Sequence, residues 1–372
     1  MSNELNRDTY LSKHVGDFAP ECVINGIVYE KVDDLRYGTN PHQCAAYYRP
    51  AGNPGVIGGM EILKNGKSGL SQTNLEDISY ALNIVKFFDI PACAVMKHVN
   101  PSGAAVRRGG ETLKAVYLKA RDADARAAFG SVIAFNTEVD SETAREIMST
   151  FCECVVAPSY AEGVLDIFND GETYKLNRHI RIIRCGNPGD LPRFVGDDVA
   201  GKNTMTVLAD GSVVLAQPLM THLRSTADLN PAEAENKRCG VQKSSFRATE
   251  SQLEDLLFAW YVNLSVRSNG VVIARNGQTL SVGTGEQDRV GAIEQAVAKF
   301  SQKYQGPETL QGSVMASDGF FPFADGVEVA AQAGITAIIA PSGSLRDADV
   351  IARANELGVA LYYAPERIFS HH

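Results

Sequence analysis

Along residues 72–88, QTNLEDISYALNIVKFF, the positions Leu75, Ile78, Ala81/Leu82, Ile84/Val85 and Phe88 recur at helical spacing with polar residues between them. PACAVM follows a proline stop and reads as a short buried strand, and SVIAF at 131–135 and CVVAP at 154–158 read the same way. A helix is predicted between them over 111–128. Beyond residue 170 the pattern breaks into polar, irregular sequence (NDGETYKLNRH, then RCGNPGDLPRF), which places a boundary between halves near 185–200. Two hairpins are predicted next: TVLADGSVVLA around Asp210-Gly211, and NGVVIARNGQTLSVG around Asn276-Gly277, the stronger signal of the two. The second half then repeats the first: helix 289–303, strand SVMAS, helix 325–333, strand TAIIAP, helix 346–357. Pro101-Ser102-Gly103 and Pro341-Ser342-Gly343 each follow an apolar run and read as turns. The pattern implies an α/β protein built from duplicated α/β/α units. Such sheets carry ligands at the carboxyl ends of their strands, where these polar turns fall.

With 372 residues the chain is long enough for two domains or one large duplicated one, and 44% hydrophobic with 21% charged residues is a globular composition. A net charge of -9 and a pI near 5.4 argue against nucleic acid as the main partner. They leave room for a phosphorylated small molecule, because one or two arginines hold a phosphate whatever the overall charge. No apolar run approaches the roughly 20 residues that span a bilayer, and MSNELNRDTYLSKH carries no secretory h-region. The seven cysteines (Cys22, Cys44, Cys93, Cys152, Cys154, Cys185, Cys239) are odd in number and form no C-x-x-C pair. Cys152-x-Cys154 reads as core packing on one strand face, and the expected setting is a reducing cytoplasm.

Candidate chemistry starts in AVMKHVNPSGAA. Neighbours within a strand point to opposite faces, so Lys97 and His98 share a site only if the strand ends there. A desolvated lysine beside a histidine can move protons in both directions near neutral pH; the plain alternative is a surface lysine beside a capping histidine. LRYGTNPHQ offers the Arg36 guanidinium and the Tyr37 phenol to a phosphate, or is an ordinary hydrated loop. SDGFFPFADG sets three phenylalanines around Pro322, which suits a flat heterocycle or a core plug. The terminal RIFSHH is a basic-aromatic tail. SVGTGEQDR lacks the third glycine and acidic residue of a dinucleotide fingerprint, and no P-loop, G-x-S-x-G or H-E-x-x-H is present.

Taken together, RYGTNPHQ (36–43), KHVNPSG (97–103), AFG (128–130), SN (268–269), QDRV (287–290), SDGFFPF (317–323), APSGS (340–344) and RIFSH (367–371) resemble, in order, the transformylase domain of the bifunctional AICAR transformylase/IMP cyclohydrolase family. The resemblance implies two cytidine-deaminase-like α/β/α subdomains related by internal duplication, at 35–190 and 191–372 after an extension at 1–34. It further implies a homodimer with sites at its interface, and transfer of a formyl group from 10-formyltetrahydrofolate to the 5-amino group of AICAR in IMP biosynthesis. By residue, His98 takes the amine proton, Lys97 stabilises the oxyanion and helps protonate the leaving folate nitrogen, and Asn269 orients the transferring group. Arg36, Tyr37, Arg367 and His371 serve the 5′-phosphate, Glu153 the aminoimidazole, and Gly130 and Arg289 complete the AICAR contacts. Arg126, Phe129, Phe320, Pro322 and Asp325 frame the folate.

A fold related to cytidine deaminases raises a zinc hydrolase as a competing reading, but H-x-E…P-C-x-x-C is missing, so a metal-free chemical step is expected. Some members of the family hold a structural potassium ion, which the resemblance assigns to no residue here. Three departures stand out. Ser102 replaces the usual cysteine; the turn after the helix that follows Ala157-Pro158 reads Asn169-Asp170-Gly171-Glu172 rather than lysine-rich, leaving Lys175 as a weak substitute; and no cyclohydrolase region precedes Arg36. The expectation is a stand-alone transformylase with a separate cyclohydrolase downstream, cytoplasmic, binding neither nucleic acid nor membrane. A non-catalytic AICAR- and folate-binding paralogue is the alternative, which retention of both Lys97 and His98 disfavours.

Overall fold

In the computed structural model the described residues are 12–371, except 14 and 239. Cys239, His372 and the start of the 1–34 segment lie outside them. The chain forms two compact units, one from the segments up to Lys86, 129–192 and 198–218, the other from 87–128, 193–197 and 219 onward.

In the first unit, strands Ser131–Phe135, Cys152–Ala157 and Arg181–Arg184 run parallel in that order, and Glu61–Lys64 closes the edge antiparallel. Helix Gln72–Val85 begins where Ser71 accepts from the Asn74 backbone N–H while the Asn74 side chain accepts from the Ser71 N–H, a reciprocal cap. It buries Ile78, Ala81, Leu82, Ile84 and Val85 completely. Full burial of each of these larger aliphatics stabilises by roughly 1.5–3 kcal/mol. Cys152 and Cys154 both enter the core, as a two-residue strand spacing requires. Three antiparallel strands (Glu21–Ile24, Ile27–Asp34, Ala46–Pro50) and the hairpin Thr204–Val207/Val213–Ala216 complete this unit. That hairpin turns at Asp210-Gly211 as its sequence predicts.

The second unit orders eight strands: Asn230–Pro231, Ala360–Ala364, Ile335–Pro341, Ser313–Ser317, Val271–Arg275, Gln278–Gly283, Asn100–Val106, Ala92–Lys97. The three spanning 313–364 are parallel and the remaining pairs antiparallel. Helices Glu250–Asn263, Arg289–Lys303, Asp325–Gln332 and Asp347–Leu357 alternate with them. Trp260, the single tryptophan, is fully buried, and its indole N–H meets its need at the Thr221 hydroxyl, 3.0 Å away. Among the described residues no helix is long and apolar enough to cross a membrane.

One predicted turn is absent. Asn100–Gly103 opens a strand, and the chain reverses at His98-Val99 instead, between the paired residues Lys97 and Asn100. Both central residues have positive φ, 52° and 63°, the requirement of a two-residue hairpin whose twist matches its strands. Pro101 is tolerated because Met96 pairs with Pro101 and Val95 with Gly103, which leaves Ser102 as an extra bulged residue beside it. Gly103 is required for contact, not for turning: a Cβ there would stand 2.0 Å from the Ala120 carbonyl oxygen of helix Leu113–Asp122.

Candidate active site

Strand Ala92–Lys97 is buried along its length until Lys97, which is half-buried, and His98 then stands exposed at the turn. The left-handed backbone at His98 and Val99 is what ends the alternation of faces. A β-branched residue at positive φ is rare and costs about 1–3 kcal/mol. The matching hairpin in 271–283 places Asn276 and Gly277 at the same two positions, with φ of 52° and 69° and little cost. The turn is braced from behind: the Asn100 amide donates to the His98 carbonyl at 3.2 Å, and its side-chain oxygen accepts from the Arg267 N–H at 3.0 Å and the Thr284 hydroxyl at 2.7 Å.

Arg267 leads into Ser268-Asn269, joined by a cis peptide. The Asn269 side chain is engaged at both ends, accepting from Arg289 Nη2 at 2.7 Å and donating to the Glu286 carbonyl at 2.9 Å. Arg289 opens helix Arg289–Lys303 and is 7% exposed; its Nη1 meets the fully buried Asp318 at 2.5 Å. Asp318 also accepts from the Gly270 N–H at 2.8 Å and the Ser268 hydroxyl at 2.6 Å. Both outer nitrogens of Arg289 are thus held inside the protein, while its buried Nε has no partner among the described residues. The C-terminal tail lies on the same cluster. The Ile368 N–H donates to the Asp318 carbonyl at 3.1 Å, and Ser268 and Ser370 exchange two hydrogen bonds. The Arg367 guanidinium stacks on Phe369 at 4.4 Å, and Phe369 meets His371 edge-on at 5.8 Å. The second unit therefore gathers Lys97, His98, Asn269, Arg289, Arg367 and His371 onto one connected scaffold.

The first unit gathers Arg36, Tyr37 and Glu153. Gln43 closes the RYGTNPHQ loop, its side-chain oxygen accepting from the Asn40 N–H at 2.8 Å and its carbonyl from the Gly38 N–H at 2.7 Å. Arg36 is 7% exposed, lies over the Tyr37 ring at 4.6 Å, and keeps a buried Nε–H with no partner among the described residues. Burial first, and the Arg181 charge second, lower its pKa, so a bound anion would relieve both. Arg181 donates to the Gly69 carbonyl at 2.7 Å and lies 4.0 Å from Glu153, whose carboxylate takes a 2.9 Å hydrogen bond from the Asn74 amide. Gly130, at φ 73°, ties back to the Phe151 carbonyl, and Phe129 is exposed against the Phe151 ring.

The remaining folate candidates also belong to the second unit. Arg126 is exposed on a short helix, and Asp325 begins helix Asp325–Gln332. Around Pro322, Phe321 is buried, whereas Phe320 and Phe323 are exposed, with Arg346 stacked on Phe323 at 4.8 Å. A cleft of about 620 Å³ lies at the turn end of the 271–283 hairpin, on Arg108, Glu111, Lys119, Glu254 and Glu308, and holds none of the expected residues. Its cations are ion-paired with its own carboxylates. Sequence reading missed Asn74, Asn100, Arg181 and Thr284. The reciprocal cap S-x-x-N could have flagged Asn74; the others act through segments distant in sequence, which no local pattern carries. Among the described residues no three His, Cys, Asp or Glu side chains gather as a metal ion needs.

The AICARFT/IMPCHase bienzyme family model matches residues 7–299. The bifunctional purine biosynthesis protein PurH of Anoxybacillus flavithermus is 38% identical over 363 residues, and that of Acetivibrio thermocellus 37% over 365. PurH of Halalkalibacterium halodurans is 37% identical over 364 residues. Each alignment takes in 97% of this chain, which spans 63% of the length of these relatives. With four-fifths of its length under one family model, the chain belongs to the AICARFT/IMPCHase bienzyme family.

Proposed function

We propose that the protein transfers a formyl group from 10-formyltetrahydrofolate to the 5-amino group of AICAR, giving FAICAR and tetrahydrofolate for IMP biosynthesis. The observation that carries this reading is the reversal at His98-Val99, which leaves an exposed imidazole directly after a half-buried lysine in a chain of this family. The amine attacks the formyl carbon and gives its proton to His98. The tetrahedral oxyanion is sheltered by Lys97, and as the bond to the folate nitrogen breaks, that nitrogen takes a proton with the help of Lys97. Positioned acid–base groups contribute about 10²–10⁴-fold, and one oxyanion donor about 2.7–4 kcal/mol. The unpartnered Nε–H of Arg36 suits a phosphate oxygen, with Tyr37, Arg367 and His371 as further phosphate contacts. Glu153, Arg289 and Gly130 orient the aminoimidazole, Asn269 the transferring group, and Arg126, Phe129, Phe320, Pro322 and Asp325 the folate.

The same reading includes a cytidine-deaminase-like duplication, with subdomains at 35–190 and 191–372. In support, the order helix, strand, strand, helix, strand, helix, strand, helix, strand occurs over 72–184 and again over 250–364, two single-turn helices of the first stretch aside. It also includes a homodimer with active sites at its interface. The hairpin Thr204–Val207/Val213–Ala216 supports this, since Met205, Val207, Leu208, Val213, Val214 and Leu215 are each 46–60% exposed, more apolar surface than one unpartnered ribbon ordinarily shows. A cytoplasmic setting fits a purine-biosynthetic role. The test is to mix the protein with AICAR and 10-formyltetrahydrofolate and follow tetrahydrofolate by absorbance. Turnover is expected, and His98→Ala should abolish it while AICAR still binds. Binding of both ligands without turnover by the unaltered protein would instead support the non-catalytic paralogue.

A further inference from the structure

We propose that Asn100 is a positioning residue for proton transfer, holding the His98-Val99 turn in its left-handed form and locking it to the loop that carries Asn269. This rests on His98 being the base proposed above. Three observations converge. The turn needs help, because Val99 takes φ 63°, a conformation that a β-branched side chain disfavours. The Asn100 Nδ2 donates to the carbonyl of His98 itself, at 3.2 Å, and so fixes the peptide plane leaving the base. The Asn100 Oδ1 accepts from the Arg267 N–H at 3.0 Å and the Thr284 hydroxyl at 2.7 Å.

Those two partners are not incidental. Thr284 also donates to the Arg267 carbonyl at 3.1 Å, and the Gly285 N–H reaches that carbonyl at 2.9 Å. The Asn269 N–H and side-chain amide both end on the Glu286 carbonyl, at 3.0 and 2.9 Å. From His98 to Asn269 the chain of contacts is therefore His98 carbonyl, Asn100, Arg267 and Thr284, then the 285–286 backbone. Its link to the turn is the Asn100 side chain. Its amide must donate at one end and accept at the other, which neither aspartate nor leucine of similar size can do. A group held this way keeps the imidazole within the narrow range that proton transfer needs, and a displacement near 1 Å costs on the order of 10²-fold.

The experiment uses the full chain and three substitutions, Asn100→Asp, Asn100→Ala and His98→Ala, assayed with AICAR and 10-formyltetrahydrofolate. Turnover by the unaltered protein and its loss in His98→Ala are read first; if either fails, the reading of His98 is wrong, whatever Asn100 does. With both in place, Asn100→Asp keeps the acceptor for Arg267 and Thr284 but loses the donor to His98, and kcat is expected to fall roughly 10- to 100-fold with KM for both substrates within about twofold. Asn100→Ala is expected to fall at least as far. Wild-type kcat in Asn100→Asp, or a rise in KM with unchanged kcat, would each overturn the proposal. Thermal unfolding of Asn100→Asp separates this from simple loss of fold. A variant that folds as the parent does and loses kcat supports it, and a kcat loss that disappears when only the folded fraction is counted overturns it.

Discussion

Val99→Gly is expected to make the protein more stable and less active. In the structure Val99 holds φ 63° in the second central position of its hairpin, and Gly277 holds φ 69° in the corresponding position of the 271–283 hairpin. Removing the Cβ from a left-handed residue recovers about 1–2 kcal/mol, and the added freedom of glycine in the unfolded chain takes back about 0.5–1 kcal/mol. The net expectation is a gain of roughly 0.5–1 kcal/mol, reduced somewhat by the loss of part-buried methyl groups. The converse change, Gly277→Val, combines the same backbone cost with crowding, because a Cβ at Gly277 would lie 2.7 Å from the Arg108 Nε. It should cost about 2 kcal/mol or more. Urea unfolding with an unchanged m-value gives both numbers, and steady-state turnover gives the functional half, where Val99→Gly should lower kcat several-fold as the turn loosens around His98. A lower urea midpoint for Val99→Gly together with unaltered turnover would refute the reasoning, because it would mean that the left-handed valine is neither strained nor used.

Three further outcomes follow from other parts of the molecule. Arg289→Met leaves the fully buried Asp318 carboxylate with only the Gly270 N–H and Ser268 hydroxyl, and should cost about 3–5 kcal/mol in urea unfolding; a cost below about 1 kcal/mol would show that the pair is not a buried charge pair in solution. His179, an exposed residue, has a lowered pKa, through local desolvation first and then the charges of Lys67, Arg178, Lys64 and Arg181. The fold therefore favours its neutral form: the contribution to stability is complete above about 6.5, the unfolded value, and is lost as pH falls through the lower folded value. His179→Gln should flatten the decline in urea midpoint between pH 7.5 and 5.5, and an identical slope in both proteins would count against it. Val214→Glu, on the exposed hairpin, should convert a dimer to a monomer in light scattering and lower turnover, whereas a dimer of unchanged affinity would locate the interface elsewhere.

What was legible in the sequence, and what was not, divides by the range of the forces involved. Helix Arg289–Lys303 and strands Ser131–Phe135 and Ser313–Ser317 agree with their expected bounds because apolar periodicity records burial directly. Asn276-Gly277 was legible because its turn is made by two residues suited to it. His98-Val99 was not, because neither residue prefers the conformation it holds, and the N-P-S-G that follows imitates a turn while serving as a bulged strand. The turn is flanked by strand pairing on either side, and Asn100 reaches from one strand to Arg267 and Thr284 on distant segments, contacts that lie outside any local window. The same holds for Arg36: its residue type is visible, but that its Nε–H is buried and unmet depends on the approach of segments near 70 and 181. Local misfit of this kind is expected where a site must hold a group in a conformation its own sequence would not choose. A position that breaks its local rule, while the same place in a second hairpin of like form obeys it, is on that argument a stronger pointer to function than either position read alone.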